Sequence, residues 1–256
     1  MRFASLGSGS EGNALVVEIG ATRVMLDCGF GLRETIRRLA EKGLAPEQIN
    51  AIVITHEHGD HLSGAARFAR KFKLPVWMTH GTCQVFQQQH DCLPEVHIFD
   101  SHQAFSIADI AIQPFPVPHD AREPAQFVFS NGIHRLGVLT DVGASTSHIV
   151  KMLDRCDALV LECNHDAQLL QNSSYPSSLK QRIAGQFGHL DNQAAAALLS
   201  SLDTSRLQHL IAAHLSLHNN TPALALSSLA DSLGCSPDWL DYADQEHGCD
   251  WRTISA

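Results

Sequence analysis

Residues 51–61 read Ala-Ile-Val-Ile-Thr-His-Glu-His-Gly-Asp-His. An apolar β-branched run ends abruptly in three histidines and an aspartate, the pattern of a buried strand delivering a polar site at its C-terminal edge. In extended chain His56 and His58 project to the same side, so one cation can take both. Gly59 lets the backbone turn and bring Asp60 and His61 round as a second pair. Imidazole and carboxylate suit zinc, manganese or iron, and the density of donors allows two adjacent ions. The plain alternative is a solvated loop that happens to be rich in histidine. The compact His-x-His-x-Asp-His spacing argues for the metal.

Three more polar residues stand where apolar runs stop. His119 follows Val117-Pro118, Asp141 follows Val138-Leu139-Thr140, and His214 follows Ile211-Ala212-Ala213. Each alone reads more readily as an isolated polar residue than as a ligand; with the first cluster they form a set of metal-ligand types.

The elements that must position these groups are short. Strands are predicted over 2–6, 14–19, 23–27, 51–55, 76–78, 96–99, 110–115, 127–130, 135–140, 158–162 and 209–213. Helices are predicted over 32–42, 62–72, 176–184, 192–201 and 222–233. Arg67, Arg70 and Lys71 share a face of the 62–72 helix and read either as a solvated surface or as a landing strip for a phosphate backbone. Prolines 114, 116 and 118 stiffen the approach to His119. No repeat or linker divides the chain. The expectation is a single α/β domain over 1–256, built as helix, sheet, sheet and helix layers.

Composition narrows the setting. The 256 residues are 44% hydrophobic, enough for a substantial core. Seven scattered cysteines form no C-x-x-C pair, which points to a reducing, cytoplasmic compartment. Neither a signal peptide nor an apolar run of membrane-spanning length is evident, so no membrane is expected. Sixteen histidines fit metal and proton-transfer chemistry. The net charge of −9 disfavours a surface that grips long nucleic acid, so a phosphate ligand must be held locally.

The ordered set His56, His58, Asp60, His61, His119, Asp141 and His214 resembles that of the metallo-β-lactamase superfamily. The words around Glu162-Cys163-Asn164-His165-Asp166, Gly188-His189-Leu190-Asp191-Asn192 and His214 to Asn220 are similar to its YycJ/WalJ-type branch. The resemblance implies a four-layer αββα sandwich. It assigns His56, His58 and His119 to one divalent ion, Asp60, His61 and His214 to a second, and Asp141 to both. The ions would be zinc or manganese, with iron an option. Asp27 would orient histidine ligands from behind. Gly7 to Asn13 resembles the Gly/Ser loop of phosphodiesterase branches, with Ser8, Ser10 and Asn13 near the substrate; an ordinary hairpin turn is the alternative. Glu11 and Asp191 depart from the branch pattern and add negative charge.

The implied activity is metal-assisted phosphodiester hydrolysis, as a 5′→3′ exonuclease on DNA. Asp60 would accept the nucleophile's proton, His189 would protonate the leaving group, and Asn164, His165 and Asn220 would contact phosphate. A phosphodiesterase for small cyclic or dinucleotide esters is the runner-up, favoured by the acidic charge. A lactam or thioester hydrolase is a third reading, its lactamase form disfavoured by Asp141, and a non-catalytic domain that docks a partner is disfavoured by the complete ligand set. Oligomeric state is left open.

Overall fold

The computed structural model describes residues 1–255. Two sheets of seven strands each face one another. In chain order the first holds β1 (Arg2–Gly7), β2 (Ala14–Ile19), β3 (Thr22–Leu26), β4 (Ala51–Val53), β5 (Val76–Met78) and β6 (Val96–Ile98). The second holds β7 (Phe105–Ile107), β8 (Ile110–Pro116), β9 (Ala125–Ser130), β10 (Arg135–Leu139), β11 (Ala158–Glu162), β12 (His209–Ala213) and β13 (Asp241–Tyr242). The chain then returns, and β14 (Cys249–Thr253) pairs antiparallel with β1 to close the first sheet.

Side-chain alternation explains the layers. In β10 to β12, Leu136, Val138, Ala158, Val160, Ile211 and Ala213 point between the sheets and meet Phe3, Val17, Val24 and Val53. Their neighbours Leu139, Leu159, Leu161, Leu210 and Ala212 point outward. Strands apolar on both faces must be covered on both. On the second sheet the cover is α5 (Ser147–Leu153), α8 (Asn192–Ser200) and α9 (Pro222–Leu233), through Ile149, Leu153, Leu198, Leu199 and Leu229. On the first it is α1 (Leu32–Glu41), α3 (Ala65–Phe72) and α4 (His80–Gln89), through Leu39, Phe68 and Phe86. The αββα sandwich follows.

Several elements differ from expectation. The helix predicted over 62–72 begins earlier and breaks in two, into α2 (Gly59–Leu62) and α3, at Ser63-Gly64. Gly64 packs so tightly on the 28–30 loop that a β-carbon there would lie 1.9 Å from Phe30 O. The polar α4, the short α5, α6 (Ala167–Asn172), β7, β13 and β14 carry little apolar periodicity and escape a sequence reading. The helix predicted over 176–184 is α7 (Ser177–Ile183).

The strands β3 to β6 are mutually parallel, as are β10 to β13. β8 runs antiparallel to β9 and β9 to β10, so β8 and β10 point the same way. The C-terminal ends of β3, β4, β8, β10, β11 and β12 therefore lead into one region, which is where every candidate ligand lies.

Candidate metal centre

Three strand ends are bent the same way. Asp27 and His214 follow β3 and β12 directly, Asp141 follows β10 after Thr140, and all three adopt left-handed backbone, with φ of 60°, 56° and 50° respectively. Such conformations cost a non-glycine residue roughly 1–3 kcal/mol each and concentrate at functional sites. Here they turn the side chains across the strand ends. The loop after β3 approaches α2 closely: a β-carbon on Gly29 would sit 1.7 Å from Asp60 O, so only glycine permits the contact.

The ligand atoms gather in overlapping groups, each within 4.8 Å: His56, His58 and His119; Asp60, His61 and His214; and His56, His61 and Asp141. His119 Nε2 lies 3.2 Å from His58 Nδ1. Asp60 Oδ2 is 3.3 Å from His61 Nε2 and 3.5 Å from His214 Nε2. Asp141 stands between the sets, with Oδ2 3.0 Å from His61 Nε2 and Oδ1 3.5 Å from His214 Nε2 and 4.0 Å from His119 Nε2.

The remaining ring nitrogens are held from behind. His61 Nδ1 donates to Asp27 Oδ2 at 2.7 Å, which leaves Nε2 free for a cation. Asp27 itself is fixed by Thr55, whose backbone N–H and hydroxyl both donate to it. His119 Nδ1 donates to Gly188 O at 3.1 Å, and His56 Nδ1 meets Thr55 Oγ1 at 2.9 Å. In the centre, His56 Nε2, Asp141 Oδ2 and His214 Nε2 are buried with no hydrogen-bond partner. Buried polar atoms are almost always satisfied, so three orphans facing one space fit a cation site.

Charge is compressed. Burial works against a proton on His61, yet Asp141, Asp27 and Asp60 hold its pKa well above the ordinary imidazole range. Burial likewise opposes ionisation of Asp60, but His61 and His214 keep its carboxyl well below the usual range. Burial pushes His56 and His119 down. Neutral imidazoles and ionised carboxylates are the forms that bind metal.

One contributor escaped the sequence reading. Glu162 ends β11, is fully buried, and accepts from Val142 N–H (3.0 Å), Leu190 N–H (3.1 Å) and His189 Nδ1 (2.8 Å). The available signal was an acidic residue terminating an otherwise apolar strand. Burial opposes a charged His189, but the Glu162 carboxylate raises its pKa to about 9. The His189 ring stacks on His214 at 5.4 Å and lies beside His119.

The other predicted positions divide. Asn164 Nδ2 donates to His214 O (3.0 Å) and sits 3.2 Å from its Nδ1, so it orients that candidate ligand. His165 is buried, with Nδ1 3.3 Å from Asn164 Oδ1. Asn220 lies in a closed amide pair with Asn192 and also donates to Cys163 O, so its role in this structure is to join loops. Asn13 fills the Gly/Ser loop: Oδ1 accepts from Gly9 N–H and Ser8 Oγ–H, while Nδ2 lies 3.3 Å from Asp60 Oδ2. Ser8 Oγ accepts from His214 N–H at 2.9 Å. Ser10 is exposed. The loop's donors are thus directed largely inward, and it acts as a brace between the His/Asp cluster and the sheets. Asp191 caps α8, accepting from Ala194 N–H at 2.8 Å, which accounts for an acid at that position. Of the basic side chains on α3, Arg70 donates to Cys92 O, away from the cluster.

Two face-to-face sheets, outer helices and a His/Asp cluster at the strand ends define a metal-dependent hydrolase of the metallo-β-lactamase class. A family model for the β-lactamase superfamily domain matches residues 22–212. Exodeoxyribonuclease YycJ of Bacillus anthracis is 33% identical over 235 residues, covering 91% of this chain and 89% of that one. Exodeoxyribonuclease WalJ of Streptococcus pneumoniae is 31% identical over 236 residues, covering 91% and 88%. Among solved structures, Zn²⁺-bound PqqB from Methylobacterium extorquens superposes with a TM-score of 0.75 at 14% identity, over 99% of this chain and 100% of that one. The chain belongs to the metallo-β-lactamase superfamily and, within it, to the YycJ/WalJ branch. Among the described residues no helix is long and apolar enough to cross a membrane.

Proposed function

We propose that this protein is a dinuclear metal-dependent phosphodiesterase that degrades DNA exonucleolytically from the 5′ end, as one hydrolase domain spanning 1–256 in the cytoplasm. The observation that carries the hydrolase chemistry is the trio of buried, unpartnered atoms His56 Nε2, Asp141 Oδ2 and His214 Nε2. The choice of DNA rests on the likeness to relatives named exodeoxyribonucleases over nine-tenths of the chain.

His56, His58 and His119 would hold one ion, Asp60, His61 and His214 the other, and Asp141 would touch both. Zinc and manganese fit these donors best, with iron acceptable. Bound there, the ions supply Lewis-acid polarisation of a phosphoryl oxygen and acidify a water molecule. Asp60, ionised and steadied by Asn13, accepts the attacking water's proton on a carboxylate oxygen. As the water oxygen bonds to phosphorus, the bond to the leaving oxygen breaks. His189 holds a proton at neutral pH and has Nδ1 committed to Glu162, so it delivers the Nε2 proton to the departing alkoxide. Asn164 keeps His214 aligned, and His165 stands behind it.

The net charge of −9 favours the second reading, a phosphodiesterase for small cyclic or dinucleotide esters. Digestion of 5′- and 3′-end-labelled duplexes with manganese or zinc separates the two. Stepwise mononucleotide release from the 5′ end supports the exonuclease; cleavage of small diesters alone removes it.

A further inference from the structure

The last turn of α7 and the loop behind it form one wall of the histidine cluster. Phe187 O accepts from Asp120 N–H at 3.0 Å, Gly188 O accepts from the ligand His119, and His189 N–H donates to Ile183 O at 2.8 Å. The packing is backbone on backbone: a β-carbon on Gly143 would lie 2.3 Å from Gln186 O, and one on Gly188 2.2 Å from Arg182 O. The segment is therefore clamped to the loops carrying His119 and Asp141.

Despite that clamping, Phe187 is 59% exposed. Its α-carbon is two residues from His189, at most roughly 7 Å along the chain. Arg182 stands on the same wall: its Nε donates to Asp120 Oδ2 at 2.6 Å, and Asp120 Oδ1 lies 3.6 Å from His119 Nε2. An exposed aromatic ring thus stands on a backbone-anchored segment, next in chain to the Gly188 carbonyl that holds His119 and two residues from His189.

We propose that Phe187 is a stacking platform for the nucleobase attached to the phosphate being cut, a reading that rests on the nuclease function above. A base reaches a ring only if it leaves its own stack, so the platform selects strand ends and single strands. Every base has a π-face, so recognition is tolerant of sequence. The backbone anchorage means the ring pays no loop-ordering cost on contact. A locally held aromatic also accounts for how an acidic protein grips a polyanion without a broad basic surface.

The test uses the full-length metal-loaded protein and matched oligonucleotides ending in either a normal nucleotide or an abasic one. The wild type is expected to release the base-bearing terminal nucleotide about tenfold faster in kcat/KM. Phe187→Ala is expected to erase that preference and Phe187→Trp to keep it. A preference that survives in Phe187→Ala overturns the platform while leaving the nuclease intact. The same survival accompanied by a native mass lower in Phe187→Ala than in the wild type assigns the ring to self-association instead. A wild type that cuts no oligonucleotide of either kind overturns both the platform and the nuclease reading.

Discussion

Glu162 and His189 are joined by a 2.8 Å hydrogen bond from Nδ1, although 27 positions separate them, and the carboxylate is fully buried while the ring keeps contact with solvent. The pair gives the site a histidine with Nδ1 fixed by a buried carboxylate. Its raised pKa, about 9, keeps that ring protonated at neutral pH.

Glu162→Gln should move the alkaline limb of kcat to lower pH. The folded pKa of His189 lies above its ordinary 6.5, so the proton is held below that value and lost as pH rises through about 9. Without the carboxylate the loss begins earlier. A pH–rate profile of the two proteins checks this, and coincident alkaline limbs would refute it. Glu162→Ala should additionally leave Val142 N–H and Leu190 N–H unpaired, costing roughly 1–3 kcal/mol apiece, visible as a lower Tm.

His189→Ala should lower kcat by roughly 10²–10⁴-fold, the usual span for a general acid. Metal content by elemental analysis should stay at the wild-type level, since His189 is offered as a proton donor. Wild-type turnover in this variant would end the acid role.

Asp27→Asn should weaken metal binding by about 10–100-fold, the usual cost of losing the partner behind a histidine ligand. Asp27 fixes which nitrogen of His61 carries the proton. Competition with a chromogenic chelator measures the change, and an unaltered affinity would show that Thr55 alone suffices to orient His61.

Metal loading should release protons. In the metal-free chain, Asp141, Asp27 and Asp60 overcome burial to keep His61 protonated, and a cation at Nε2 must displace that proton. Calorimetric titration with zinc near neutral pH in two buffers of unlike ionisation enthalpy should give different apparent heats. Loading should also raise Tm, by an amount equivalent to about 4 kcal/mol at a thousandfold excess over Kd. Equal heats in both buffers would contradict the protonated state of His61.

Legibility in the sequence followed locality. His56, His58, Asp60 and His61 announce themselves because they fall within six positions of one segment, although β4 stops at Val53 and the histidines lie in the turn beyond it. His119, Asp141 and His214 are visible as polar stops to apolar runs, but as a set only in the light of the superfamily pattern. The parallel strands β10 to β12 are readable because burial on both faces demands continuous apolar runs. The polar α4 and the C-terminal β13 and β14 are hidden because their partners, not their own patterns, stabilise them.

By itself, the amino-acid order determined which donors exist, that they sit at strand ends, and that they suit divalent ions, because alternation and strand termination act over a few residues. Tertiary structure alone decided that Asp27 serves His61, that Asn13 steadies Asp60, that Asn220 ties loops, and that Glu162 grips His189. Those pairings span 27 to 57 positions. They exist because sheet register and left-handed strand ends carry distant backbone segments within hydrogen-bond range, and no local pattern encodes that distance.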